Sequence, residues 1–417
     1  MLKVLRAVIL CALSAAPAVS RLHAGLLGPI GPDIQVLAPR REMARDPKVA
    51  VFPKGNFVVV WTALANPPAT NEVHARLFRR TGAPASSELV LLPPNGQVLS
   101  DLAATPDGGF ILVWDQPNPQ GITRVVARKF DAAARPSTRP LRISAPSLDA
   151  RHDGRVAVAA DGSFVVAFQA EVGRYGDPGT SIDAHARFFG PDGTAAGPEI
   201  TVDVAFPGDG SVIAPRAVGL SPDRSAVIVS ECECAENPVL VQRFSADGTE
   251  LRPAYSLGNG YNPRLSIDGS GLFVVAWATS FAVGNPGPFD QAVILAQRFA
   301  VDGTPGELFQ VSKLGQFEIY PWLAPLSGGG FVVLWTDEAG RDGSGLGVFG
   351  RAFSERGTPT TGDFRVNLQT AGDQVATAVA ASGGVPMVVA VWAERARFIT
   401  YDHVASRGIS ASILPLQ

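Results

Sequence analysis

The sequence predicts an all-β protein, a seven-bladed β-propeller with four-stranded antiparallel blades that closes near its termini. Internal repetition is the first observation, because a fixed period reveals repeat architectures. An apolar run rich in Val and Phe recurs at intervals of about 55 residues and mostly ends in Trp or Phe. The seven copies occupy residues 57–61, 110–114, 164–168, 226–230, 273–277, 331–335 and 387–392.

Composition is the second observation. The chain has 44 Gly and 34 Pro in 417 residues. This is above the average share, but below the roughly 25–30% that indicates disorder. A hydrophobic fraction of 46% is enough for a large core. The chain is therefore turn-rich and folded, and a closed repeat array can hold residues 21–417 in one domain.

Each repeat divides into four short β segments, which is the third observation. In the fifth repeat the segments are predicted at 263–267, 272–277, 292–299 and 306–311, and in the sixth at 321–325, 331–335, 347–353 and 362–366. Asp-Gly and Gly-Gly pairs between apolar runs are hairpin signals. Such a unit is too short for an immunoglobulin-type domain of about 100 residues, whereas radial packing buries both faces of every sheet.

The third segment of six repeats ends in Phe, with Arg or Gln two residues earlier. These polar residues are Arg76, Arg128, Arg187, Gln242, Gln297 and Arg351. We expect their long side chains to cross between neighbouring sheets and hydrogen-bond to loop backbone, rather than to form a ligand ring. Residues 33–37 look like an isolated fourth strand, which we expect to complete or flank the final blade.

Residues 1–20 predict a signal peptide. Lys3 and Arg6 precede a short apolar core, and small residues stand before a cut after Ser20. An uncleaved anchor is the alternative, and a lipoprotein reading through Cys11 is disfavoured by the bulky residues before it. The sequence thus predicts a secreted or periplasmic protein without a membrane span. Its formal net charge of −3 becomes −5 once the two cations leave, which argues against nucleic acid as a partner.

Cys232 and Cys234 are the cysteines that remain after cleavage. Their spacing puts both side chains on one face of an extended chain, where an oxidising compartment allows a local disulfide. Inert free thiols, or redox or metal chemistry, are the alternatives.

The Gly-Gly-Phe-Val-Val-x-Trp pattern, followed by Gln-Arg-Phe and Asp-Gly, resembles the propeller-type repeats of many exported bacterial proteins of unassigned function. The resemblance covers roughly residues 45 to 400 and implies the fold and export, with no catalytic residues. The fourth repeat departs most, with Ser230 and Glu231 where other repeats have Trp.

Loop length gives one functional asymmetry. The turns within the first and second hairpins are tight, whereas the other connections run long, so one face of the propeller should be built from loops. Loops on a rigid scaffold are where binding usually occurs. Acidic residues follow the second segment of most repeats on this face: Asp115, Glu171, Glu231, Asp337, Glu338 and Glu394.

These carboxylates have two interpretations. They could form a ring that holds Ca²⁺ or a polyhydroxylated ligand through oxygen contacts. Alternatively, they solvate strand ends or accept loop N–H bonds. No other cofactor is predicted, and no metal-ligand His spacing, phosphate loop or nucleophile elbow is found.

The sequence therefore favours an exported, non-catalytic and monomeric binding or scaffold propeller that takes a protein or glycan on its loop face. The alternative is a carbohydrate-active hydrolase or lyase that uses these carboxylates.

Overall fold

The computed structural model describes residues 31–39, 43–64, 71–147, 149–172, 181–202, 212–234, 237–280, 292–312, 318–326, 328–381, 385–394, 398–399 and 404–415. The predicted signal peptide at 1–20 lies outside the described residues, as do parts of the predicted long loops. Every secondary-structure element in the described residues is a β-strand. In chain order the strands are β1 (Ile34–Leu37), β2 (Met43–Val51), β3 (Phe57–Leu64), β4 (Glu72–Phe78), β5 (Leu89–Leu92), β6 (Val98–Ala104), β7 (Phe110–Pro117), β8 (Thr123–Phe130), β9 (Leu141–Arg142), β10 (Arg151–Val158), β11 (Phe164–Val172), β12 (Ser181–Phe189), β13 (Ile200–Val202), β14 (Val212–Leu220), β15 (Ala226–Glu233), β16 (Pro238–Phe244), β17 (Glu250–Asn259), β18 (Tyr261–Ile267), β19 (Phe273–Ser280), β20 (Ala292–Phe299), β21 (Pro305–Gln310), β22 (Glu318–Pro325), β23 (Phe331–Asp337), β24 (Gly347–Phe353), β25 (Phe364–Arg365), β26 (Gln374–Ala381), β27 (Met387–Glu394), β28 (Phe398–Ile399), β29 (Val404–Ser406) and β30 (Gly408–Pro415).

The strands pair in antiparallel runs of four, as predicted. Strands β6 to β9, β18 to β21 and β22 to β25 each form one such sheet. Strands β10 to β13 and β14 to β17 form two runs that share one sheet through a single parallel bridge between Ile182 and Val212. Strands β2 to β5 form a run that the β28–β29 hairpin extends at its β2 edge. No sheet closes on itself within the described residues.

The last run combines both ends of the chain. Its strand order is β26, β27, β30 and β1, so the N-terminal strand lies at the outer edge of a sheet that the C-terminal part of the chain builds. The predicted position of residues 33–37 beside the final repeat is therefore confirmed. The β28–β29 hairpin between the second and third strands of this run was not predicted, and it pairs with β2.

Each recurring apolar segment of the sequence forms the second strand of a four-stranded run. In β3 the seven residues from Phe57 to Ala63 are all buried, and β23 is buried throughout. Strands buried on both faces read as continuous hydrophobic segments, because each face needs apolar packing. The core is accordingly made of clusters between adjacent runs. Val58 of β3 packs with Leu112 of β7, for example, and Trp61 packs with Val389 of β27.

A stacked pair of phenylalanines marks the same register in five runs. The Phe that begins the second strand lies directly opposite the Phe that ends the third, as for Phe57 and Phe78, whose ring centroids are 5.0 Å apart. The equivalent pairs are Phe110 with Phe130, Phe164 with Phe189, Phe273 with Phe299, and Phe331 with Phe353.

The predicted crossing of the third-strand arginines is confirmed for three of them. Nη1 of Arg76 donates to the carbonyl oxygen of Val36 in β1, at 3.0 Å. Arg187 reaches the carbonyl of Ile143 at 3.0 Å, and Arg351 reaches that of Val311 at 2.7 Å. Arg128 and Gln297 instead bond carbonyls within their own runs.

The first strand of each run carries an irregularity near its beginning. Register shifts occur between Arg45 and Lys48 in β2 and between Tyr261 and Arg264 in β18, and the other first strands have shifts at the same place. Extra residues in one strand form a β-bulge, which bends the strand and redirects its side chains. The predicted strands began within these bulges, at Pro263 and Pro321, whereas the observed strands begin before them.

Candidate functional site

A cavity of about 190 Å³ lies among the first strands of the runs, and we call it the central cavity. The strands that line it are β2, β6, β10, β14, β18, β22 and β26, joined by Val404 of β29. The bulges place side chains there, because the residue that follows each bulge is held at an equivalent register. Six of these residues line the cavity: Lys48, Asp101, Arg155, Ala217, Arg264 and Trp322. The seventh, Ala378, belongs to a hydrophobic core cluster instead.

Positive charge predominates in the central cavity. Four cations line it, Lys48, Arg155, Arg216 and Arg264, against the carboxylates of Asp46 and Asp101. Since the buried Glu231 pairs with Arg216, a formal excess of one positive charge remains. The cavity therefore has the sign of charge that attracts anions.

Three of the charged side chains in this cavity, those of Arg216, Asp101 and Asp46, already have partners within the protein. Nε of Arg216 lies 3.2 Å from Oε2 of Glu231, and both side chains are buried. Oδ2 of Asp101 accepts from the Val156 backbone N–H at 2.9 Å, and Oδ1 of Asp46 accepts from that of Val404 at 2.8 Å.

Arg155 differs from these groups. Nη1 of Arg155 donates a hydrogen bond to the carbonyl oxygen of Gly154 in its own strand, at 3.2 Å. Among the described residues, no carboxylate pairs with it. Its guanidinium therefore retains donors for a ligand in the cavity.

Trp322 is the aromatic centre of the cavity. The guanidinium carbon of Arg264 lies 4.2 Å from the Trp322 ring centroid, and Nζ of Lys48 lies 5.4 Å from it, both at cation–π distance. The indole Nε1 donates to the carbonyl oxygen of Ala376 at 3.1 Å, which fixes the ring.

Lys48 has a strongly lowered pKa. Burial, followed by the Arg155 guanidinium, lowers the pKa of Lys48 to about 8. In the part of the chain that the structure describes, its amine makes no hydrogen bond or ion pair.

A second cluster joins the runs that begin with β6 and β10, and we call it the rim cluster: Ser100, Asp115, His152, Asp153 and Glu171. Oδ1 of Asp115 accepts from the Ser100 hydroxyl at 2.9 Å, and Oδ2 accepts from the Asp153 N–H at 3.1 Å. His152 lies between Asp153 Oδ2, at 3.2 Å, and Glu171 Oε1, at 3.3 Å. A cavity of about 270 Å³ borders Asp115, His152 and Asp153.

The rim cluster contains two shifted groups. Burial, reinforced by the nearby Asp153 carboxylate, raises the pKa of Asp115 to about 7. Burial alone would lower the pKa of His152, but the carboxylates of Asp153, Asp115 and Glu171 outweigh it and raise the pKa. A carboxyl group with a pKa of about 7 beside an imidazole with a raised pKa can perform acid–base chemistry.

The structure separates the six predicted carboxylates. Asp115 accepts the backbone N–H of Asp153, and Glu171 contacts the neighbouring His152. Glu231 supports the wall of the central cavity through Arg216. Asp337 pairs with Arg341 at 2.7 Å, Glu394 accepts from the Ser410 hydroxyl, and Glu338 is exposed.

Asp115 and Glu231 fit the second interpretation of these residues, as acceptors of backbone N–H groups. Each accepts such a bond from the first strand of the next run: Glu231 bonds Asn262 at 3.1 Å, as Asp115 bonds Asp153. Thr62 and Thr336 make the same connection to Leu99 and Ala376. Among the described residues, no three His, Cys, Asp or Glu side chains are placed to hold a metal ion, and Ca²⁺ stays a prediction.

The two cysteines lie at the end of β15 in the fourth repeat. Cys232 is fully buried, and its Sγ is joined to that of Cys234 in a disulfide with the Cα atoms 5.3 Å apart. The described part of the chain contains no helix with the length and hydropathy that crossing a bilayer would need.

No protein-family model and no curated protein sequence matches this chain. Among solved structures, a protein of unknown function from Dyadobacter fermentans DSM 18053 is similar with a TM-score of 0.53 and 12% identity, over 93% of this chain and 98% of that one. The acylaminoacyl peptidase of Pyrococcus horikoshii is similar with a TM-score of 0.50 and 10% identity, over 85% of this chain and 50% of that one. An ulvan lyase, a polysaccharide lyase bound to -[GlcA(1-4)Rha3S]-, has a TM-score of 0.48 at 11% identity, over 76% and 80% of the two chains. At such low identity these likenesses concern the fold alone.

Proposed function

We propose that this protein is a closed, seven-bladed propeller that binds acidic sugar units in its central cavity. The first strands support the closed ring, since each contacts the next from β2 through β26, and β26 contacts β2. Core clusters between neighbouring runs, including one between the last run and β2 and β3, fit the same arrangement. A ring in which every run packs against two others leaves its inner strands around one axis.

One observation carries the ligand class: Arg155 faces the central cavity with no carboxylate partner among the described residues. A sugar carboxylate would accept charge-assisted hydrogen bonds from Arg155, with Lys48 and Arg264 close enough to stabilise the same charge. Asn262 and Tyr320 also line the cavity and supply polar groups for sugar hydroxyls. The carboxylate and the hydroxyls together define an acidic sugar.

Calorimetric titration of the protein with D-glucuronate tests the proposal. Glucose, which lacks the carboxylate, and glutarate, which lacks the ring hydroxyls, are the comparison ligands. We expect glucuronate to bind more tightly than either. Arg155→Gln should weaken glucuronate binding by about ten- to a hundredfold, as expected for a charge-assisted hydrogen bond.

Arg142→Gln is the matched control, because Arg142 is exposed on the outer strand β9, away from the cavity. It should leave the affinity for glucuronate unchanged. Equal affinities for glucuronate and glucose, or equal losses in the two variants, would refute the proposal.

The rim cluster supports a second candidate function, a carbohydrate-active hydrolase or lyase. The observation behind it is the raised pKa of Asp115, about 7, beside His152 and a cavity. Asp115 would donate or accept the proton at the glycosidic bond, as carboxyl groups with a raised pKa do in glycosidases.

A panel of acidic polysaccharides tests this second function, with release of reducing ends and ultraviolet absorbance of unsaturated products as readouts. Activity that Asp115→Asn abolishes would support it. Glucuronate binding without any turnover would leave the binding function and eliminate the enzyme.

A further inference from the structure

We propose that the amine of Lys48 forms a covalent imine with carbonyl compounds that carry a carboxylate and enter the central cavity. The inference deepens the proposed function, because it relies on the same cationic cavity to hold the carboxylate. It adds that the site captures its ligand covalently, through an aldehyde or ketone group such as an open-chain sugar acid or a 2-oxo acid presents.

The position of Lys48 is the first argument. It follows the bulge of β2, at the register whose side chains line the cavity, and the ring of Trp322 stands 5.4 Å from Nζ. No hydrogen bond or ion pair with a described residue occupies the amine. It is therefore available to a ligand from the cavity.

The surrounding charges are the second argument. Burial and Arg155 destabilise the ammonium form, with a further contribution from Arg264, while Asp101 and Asp46 oppose them. A lysine beside other cations in a desolvated site is a nucleophile near neutral pH, because a substantial fraction of its amine is unprotonated. The same guanidinium groups would pair with the ligand's carboxylate.

The chemistry needs no further reactant. The lone pair of Nζ attacks the carbonyl carbon, the π electrons move to oxygen, and a proton passes from nitrogen to that oxygen to give a carbinolamine. Loss of the hydroxyl group with the second amine proton releases one water and leaves a C=N bond. Asp101 and Tyr320 line the same cavity and could carry these protons.

Reductive trapping tests the inference on the full chain. The protein is incubated at pH 8 with glyoxylate and cyanoborohydride, which converts an imine to carboxymethyl-lysine, and the modified peptides are quantified by mass spectrometry. Lys54, which is exposed, and Lys129, which pairs with Asp107 at 2.9 Å, serve as internal comparisons. We expect Lys48 to be modified at least tenfold faster than either.

Two further arms identify the cause. Acetaldehyde, which lacks the carboxylate, should modify Lys48 much more slowly than glyoxylate does. Lys48→Arg, which keeps the positive charge, should lose the modification at this position, while Lys54 and Lys129 of the variant react at the wild-type rate.

The outcomes separate the two proposals. Equal modification of Lys48, Lys54 and Lys129 would overturn covalent capture, even if glucuronate binds as proposed. If Lys48 reacts equally with glyoxylate and acetaldehyde, carboxylate recognition by the cavity is wrong, and the inference fails with it. If Lys48→Arg unfolds at the same temperature as the wild type, its lost modification is not caused by a loss of folding.

Discussion

The carboxylate of Asp115 accepts the backbone N–H of Asp153 at 3.1 Å, which ties the end of strand β7 to the bulge of strand β10. Asp153 has a positive φ of 55° at that bulge. The bond therefore satisfies a backbone donor that the bulge removes from the regular ladder. The same carboxyl group carries the raised pKa of the rim cluster, so structural and chemical roles meet in one side chain.

Stability should fall as the pH rises through the rim cluster's titration. A carboxyl whose pKa is raised by folding binds its proton more tightly in the folded state, so its contribution is present below the unfolded value of 3.8 and lost as the pH approaches about 7. The raised pKa of His152 acts in the same direction. The wild type should therefore lose unfolding free energy between pH 5 and pH 8. In Asp115→Asn this loss should be smaller, by on the order of 2 kcal/mol, because the titrating carboxyl group is gone. Urea denaturation at both pH values measures this, with Asp131→Asn in an exposed turn as the control. An unchanged pH slope in Asp115→Asn would contradict the assignment.

Tyr320 lines the central cavity with a φ of 54°, at a bulge where other first strands carry Asp46, Asp153 and Asn262. The left-handed region suits Asn and Asp but not an aromatic residue. Tyr320→Gly should therefore be more stable than Tyr320→Ala, by about 1 kcal/mol, because both variants lose the ring and only alanine keeps the backbone strain. Chemical denaturation of the two variants gives the comparison. The opposite order would mean that the backbone relaxes at this position.

Arg351 connects two runs and should be important for stability. It pairs with Asp363 and donates to the Val311 carbonyl at 2.7 Å. Arg351→Ala leaves both partners without this donor and should cost about 2–3 kcal/mol. Arg356 is exposed in the following turn, and Arg356→Ala should change stability by less than about 0.5 kcal/mol. Thermal and urea unfolding of the two variants measures both changes. Equal losses of stability in Arg351→Ala and Arg356→Ala would show that the bonds of Arg351 between runs do not stabilise the protein.

The disulfide between Cys232 and Cys234 should stabilise the protein only modestly. Because the bond closes a loop of three residues, the entropic model assigns it about 1–2 kcal/mol. Unfolding with and without a reductant measures the contribution, while thiol labelling verifies that the bond has been reduced. A loss above about 4 kcal/mol would show that the bond holds more than this local turn.

The sheets could be predicted because their signal is local. Val- and Phe-rich runs, the Phe that ends each third strand and the Gly-containing turns recur with the repeat, and they determine pairing partners such as Phe331 and Phe353. The bulges could not be located in the same way. A bulge leaves no fixed residue type behind, since Asp46, Ser100 and Arg216 all occupy bulge positions.

The central cavity was missed for that reason, although the sequence contains a usable signal. Lys48, Asp101, Arg155, Arg264 and Trp322 each stand thirteen residues before the Trp or Phe that ends the next apolar run. Their chemical types differ, so no motif emerges from the letters alone. Only the shared register across all runs shows that they point to one place.

The predicted rim carboxylates were grouped by their nearness to a strand end rather than by alignment. Asp115 and Glu231 directly follow the aligned aromatic position, as Thr62 and Thr336 do, and these four make the connections between runs. Asp337 and Glu394 stand one position further on, where the alternation of a strand directs side chains to its other face. Glu171 stands two positions further on and contacts His152 of the rim cluster instead.

Strand β1 pairs with β30 and therefore waits for a partner that the ribosome makes long after it. During synthesis, residues Ile34–Leu37 must remain as an open edge until Gly408–Pro415 has emerged. This sheet can therefore be completed only after strands β2 to β29 have been synthesised. A polypeptide interrupted anywhere before β30 would lack the seam between its two ends.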